Sequence, residues 1–155
     1  MTGIWTALVI ARWLNFVAVA GLFGMALFPT YAPERTRGAY LALRPTRRLV
    51  TVGGLLALAS TVGWATATLA NMAGDSATIW DGEAWRSFLL DTSFGAAWIV
   101  RGALAAMLAL VTTRGLGATK TVVALSAALL ISQAWIGHAA SLAAPLRWGV
   151  TIAYA

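Results

Sequence analysis

The sequence predicts an all-α protein, a polytopic transmembrane helix bundle with four full spans and an incomplete fifth segment, forming one domain over residues 1–155. Three observations carry this. The chain is 60% hydrophobic and only 10% charged, with a mean hydropathy of +0.79, and no soluble domain of this size requires so much apolar surface. Four apolar runs reach the about 20 residues that cross a bilayer. Most charges fall between those runs, so the net charge of +6 reads as a topology signal rather than nucleic-acid affinity. With no cysteine, disulfides and thiolate metal sites are excluded.

Span one is expected from about Ile4 to Pro29. It contains Arg12 and Asn15, which with its length argues against a cleaved signal peptide. Its small residues include Ala20 and Gly24, a spacing that lets a neighbouring helix approach. The following loop, Thr30 to Arg48, holds Arg35, Arg37, Arg44, Arg47 and Arg48 against one acid, Glu34, and is punctuated by Pro33 and Pro45. Span two, Leu49 to Ala73, has a small-residue face of Gly53, Gly54, Ala59, Gly63 and Ala67. The next loop, Gly74 to Ser93, is acidic, with Asp75, Asp81, Glu83 and Asp91 against Arg86. Trp85, Phe88 and Leu89 fall at helical spacing within it, which predicts a short helix lying on the membrane. Asp91, Thr92 and Ser93 are N-cap candidates for span three, Phe94 to Thr113, which contains Arg101. A turn from Arg114 to Lys120 leads to span four, Thr121 to Ala144, with Gln133 and the chain's one histidine, His138. The run from Trp148 to Ala155 would rise only about 12 Å as a helix, so either this tail lies at the interface or, the favoured expectation, the natural chain continues.

Orientation follows from charge. The arginine-rich loop and the Arg114–Lys120 turn belong inside, and the acidic loop, the N-terminus and the His138 end belong outside. Trp5, Trp13, Trp80, Trp85, Trp98, Trp135 and Trp148 then form an outer aromatic belt. On this reading Arg12, Arg101 and Gln133 each lie roughly 10 Å from the outer end of their helix, with Asn15 one turn deeper. These four are expected to form a structural polar pocket open to the outside, with Asn71, Met72 and His138 at its rim. Each arginine could snorkel to headgroups, and one is expected to pair with Asp75 or Asp91.

The run Asn71-Met72-Ala73-Gly74-Asp75, the stretch Asp91 to Arg101, and Gly137-His138-Ala139-Ala140 resemble the copper resistance protein D (CopD) family of bacterial inner-membrane proteins. So does the opening Arg12-Trp13-Leu14 leading to Phe23-Gly24 and Phe28-Pro29. The likeness covers essentially the whole chain and about the first half of a family member, since members have about eight spans. This sequence has Asn15 where the family often places a histidine, and it stops where a further histidine would follow. The resemblance implies copper homeostasis, with handling or import of copper across the inner membrane beside a periplasmic copper-binding partner. Copper(I) is soft and suits thioether and imidazole ligands. The candidate metal residues are therefore His138 and Met72, with Asp75 and Asn71 nearby, while Met25 and Met107 read as packing.

Two other functional classes are compatible with a chain of this composition. A haem-binding electron carrier needs two histidines for bis-histidine ligation, so no haem is expected. A non-catalytic membrane anchor or assembly subunit would use the polar pocket only to hold helices together. No Ser/His/Asp set, HExxH motif or phosphate-binding glycine loop is present, so no enzyme is expected.

Overall fold

The computed structural model describes residues 2–92, 94–114 and 119–136. Six α-helices appear among them: α1 (Thr2–Tyr31), α2 (Glu34–Ala42), α3 (Arg44–Ala73), α4 (Gly82–Leu90), α5 (Gly95–Thr113) and α6 (Thr119–Ile136), with a 3-10 helix at Ser76–Trp80. Three helices are long and apolar enough to span a bilayer, over Gly3–Tyr31, Arg44–Ala73 and Gly95–Thr113, and a shorter apolar helix covers Thr119–Gln133. The chain is thus a multi-pass membrane protein. Four full spans were expected; α6 is described only to Ile136, and the predicted end of span four and the fifth segment lie outside the described residues.

The four long helices close a ring in the order α1, α3, α5, α6, each packing on the next and α6 returning to α1. Glycines set the spacing along α3. Gly53 faces Leu22 of α1, and Gly54 faces the Thr112 side chain so closely that any Cβ would collide with it. By contrast Gly24 meets nothing within 4 Å, so the Ala20–Gly24 pair makes no close helix contact inside this bundle.

The first loop is largely helical instead of irregular. Arginine is a good helix former, and Pro45 sits in the first turn of α3, where its missing N–H costs nothing; α3 therefore starts five residues before the apolar run. At the other side of the loop, Pro29 cannot donate to the Met25 carbonyl four residues back. The Tyr40 hydroxyl donates there instead, at 3.0 Å, and its ring meets Phe28 edge-on at 5.0 Å between centroids. A backbone acceptor released by proline thus anchors α2 to the end of α1.

At the opposite end α3 stops at Gly74, whose φ of 71° is the left-handed cap that glycine adopts without strain. Asp75 then caps the 3-10 helix through Ala77 N, and Asp81 caps α4 through Glu83 N, both at 2.9 Å. The predicted amphipathic helix is α4, and its apolar side does more than lie at an interface. Phe88 is buried in a cluster with Trp64, Trp98 and Leu69, closing the end of the bundle. The N-cap of α5 is Phe94, with no side-chain cap, and not Asp91 or Thr92; Ser93 lies outside the described residues. Thr92 instead donates backward to Phe88 O at 2.7 Å. Gly95 allows this tight junction, since a Cβ there would run into the Leu89 carbonyl.

Candidate functional site

The apolar interior is divided. A core of Val19, Leu22, Ala26, Val50, Ala57, Ala105, Leu108, Val122 and Leu129 fills the α2 end, and the aromatic cluster closes the α4 end. Between them lies a polar layer built by all four long helices.

Asn15 of α1 is fully buried. Its amide nitrogen donates to Ala57 O at 3.0 Å, Ser60 Oγ at 3.0 Å and Thr61 Oγ1 at 2.8 Å, all on α3. Ser60 and Thr61 can accept because their own hydroxyls donate back along α3, to Leu56 O at 2.6 Å and Ala57 O at 2.7 Å. With its NH₂ group engaged there, Asn15 turns its oxygen inward, where Arg101 Nη2 donates to it. Arg101 of α5 is also fully buried. Its Nη1 donates to Leu129 O at 3.1 Å and Ser132 Oγ at 2.6 Å on α6. One planar guanidinium therefore joins α5 to α1 and α6, and Asn15 carries the connection to α3. The fork geometry of arginine suits this; a point-charge ammonium does not reproduce it.

Trp64 lies over this layer. The Arg101 guanidinium sits 4.8 Å from its ring centroid and that of Arg12 sits 5.6 Å away, distances at which a ring face attracts a cation. Trp98 meets Trp64 edge-on at 5.3 Å. Arg12 itself is exposed on the side of the bundle. Gln133 follows Ser132 on α6, and its Nε2, like Arg101 Nε, is buried without a hydrogen-bond partner.

The expected pairing of Arg12 or Arg101 with Asp75 or Asp91 does not occur. The ion pairs among the described residues are Arg37–Glu34 at 3.5 Å and Arg86–Glu83 at 3.6 Å. The reason is depth: both aspartates belong to the connecting segment beyond the aromatic cluster, with Asp75 engaged as a cap, whereas Arg101 lies below that cluster. Arg101 is enclosed inside the bundle and does not snorkel, whereas Arg12 is exposed beside the Trp64 ring of α3.

The predicted rim is separate from the layer. Asn71 and Met72 occupy the last turn of α3, and Asp75 follows the Gly74 cap. Met72 is 57% exposed, and Asn71 and Asp75 are exposed as well. Met72 stands about 12 Å along α3 from Trp64 at the helical rise, on the far side of the aromatic closure. His138 lies outside the described residues. Among the described residues no group of three His, Cys, Asp or Glu gathers as a metal-binding cluster. Sequence reasoning missed Ser60, Thr61, Ser132 and Trp64. The signal was the hydroxyl residues inside spans two and four, which read as tolerated small residues until a partner across the bundle is known.

No curated protein and no solved structure matches the chain at a significant level. A family model does: that of the copper resistance protein D-like N-terminal domain matches residues 1–148. The chain belongs to this family, a membrane copper-resistance family.

Proposed function

We propose that the chain is a copper-handling unit of the bacterial inner membrane that receives copper at the α4 end of the bundle. In this reading that end and the N-terminus face the periplasm, and copper is the cargo, imported with a periplasmic copper-binding protein as donor. The observation that carries it is the exposure of Met72 beside Asp75 at the end of α3. A thioether left open at a helix terminus, in a family tied to copper, is the soft donor that copper(I) prefers. Asp75 uses one carboxylate oxygen as a cap, which leaves the other for a ligand. Asn71 offers an amide oxygen, and His138 would supply the imidazole.

The interior supports a rim role over an axial route. A cation moving down the bundle axis would meet the aromatic cluster, then the buried positive charge of Arg101, then an apolar core. Arg12, Asn15, Arg101 and Gln133 accordingly serve as structure beneath the rim. Copper uptake and copper tolerance of cells carrying Met72→Ala and His138→Ala test the reading. Both variants are expected to lose uptake, and unchanged uptake and tolerance in both would reject the rim site.

A further inference from the structure

Arg12 carries a guanidinium inside the predicted first span, and no acceptor among the described residues reaches it. Its five N–H donors make no hydrogen bond or ion pair among the described residues, and its side-chain contact is the ring of Trp64. The register of α1 on α3 places Asn15 beside Ser60 and Thr61, and Ala11 beside Gly63. Trp64 is therefore close to level with Arg12, and the Arg12 guanidinium lies beside its ring on the outer face of the bundle. Trp5, Val9 and Phe16 recur with Arg12 at helical spacing, and all four are exposed. They form an apolar stripe interrupted by one cation.

The sequence cannot neutralise that cation. Its five acids are Glu34, Asp75, Asp81, Glu83 and Asp91, and none lies in α1, α3, α5 or α6. A second copy of the chain brings no carboxylate to this depth either. Charged groups inside a membrane pair with one another, bond to backbone carbonyls or face water; Arg101 takes its acceptors from α1 and α6, Arg12 takes none from the described residues, and Arg101 adds to the positive field around Trp64. We infer that the Arg12 face of α1 docks a transmembrane helix from outside these 155 residues that carries one Asp or Glu at the depth of Arg12. A guanidinium takes a carboxylate in paired hydrogen bonds, so the contact fixes both the rotation and the height of the incoming helix. This stands whether or not the rim handles copper.

The test uses the purified chain in lipid bilayers with two single-span polyleucine peptides as probes, one bearing Glu at the matching depth and one bearing Gln. Association is read by energy transfer between labels at pH 8. The Glu peptide is expected to bind the wild type about tenfold more tightly than the Gln peptide, in line with polar contacts between membrane helices. Arg12→Lys is expected to keep the preference and Arg12→Gln to lose it. Equal binding of both peptides to the wild type, or an undiminished preference in Arg12→Gln, would overturn the proposal. A second measurement, without peptide, is dephasing of the Arg12 guanidinium carbon by lipid phosphorus in solid-state NMR, with Arg12→Lys identifying the signal. Strong dephasing would assign the acceptor to a headgroup phosphate and overturn it too; none is expected.

Discussion

Arg101 Nη2 donates to Asn15 Oδ1 across 86 residues of sequence, and this bond ties the third long helix to the first. Its consequences extend to all four long helices, because Asn15 is held by α3 and Arg101 by α6. A buried cation is costly by itself, so the layer is retained through donors and acceptors that find partners only when the four helices are assembled.

Arg101→Lys is therefore predicted to be less stable than Arg101→Met. Lysine keeps the buried charge but cannot reach Asn15 and Ser132 with one planar fork, whereas methionine removes the charge and fills the volume. Thermal unfolding in detergent should place Lys about 2 kcal/mol or more below the wild type, with Met between them.

Phe88→Ala should open the α4 end of the bundle. Phe88 is 3% exposed and packs against Trp98, and truncating a buried phenylalanine costs about 3 kcal/mol or more. Acrylamide quenching of a variant retaining Trp64 and Trp98 as its tryptophans should rise when Phe88 is removed.

How far the sequence revealed this depends on which residues decide each feature. The spans were legible because apolar length is a direct signal, and α4 was legible from the spacing of Trp85, Phe88 and Leu89. Arg12, Asn15, Arg101 and Gln133 stood out because polar groups in apolar runs are rare. Which of them meet was not legible. Asn15 and Arg101 lie at similar depth, but only the rotation of α1 and α5, set by contacts such as Gly54 against Thr112, turns them toward each other. The proposed Arg–Asp pair failed because sequence gives no depth for a loop residue; Asp75 is consumed in capping its own turn. The helical start of α3 was missed because hydrophobicity ends at Leu49 while helix propensity does not.

Tyr40→Phe should loosen α2. It leaves the Met25 carbonyl without the donor that replaces the one Pro29 lacks, at a cost of about 1 kcal/mol. Desolvation raises the Tyr40 hydroxyl above its ordinary value of 10.0, so the folded chain holds the proton more firmly than the unfolded one. The stabilisation is complete below that value and is lost as pH rises through the raised one. Alkaline unfolding should show this loss in the wild type and a smaller one in Tyr40→Phe.

Gly54→Ala should push α5 away from α3, since its Cβ meets the Thr112 side chain. Overpacking of this kind costs about 1–3 kcal/mol. Thr112→Ala in the same chain should recover part of the loss, because it removes the nearest colliding atoms; an equal loss in the single and double variants would contradict the close approach.

The most direct measurement is a double-mutant cycle on Asn15→Ala and Arg101→Met, read as unfolding free energy in one detergent. The polar layer predicts coupling of more than about 1 kcal/mol, because each change strands the other's partner. Losses that add to within about 0.3 kcal/mol would mean that the two side chains act independently, and the four-helix polar layer would not exist as described.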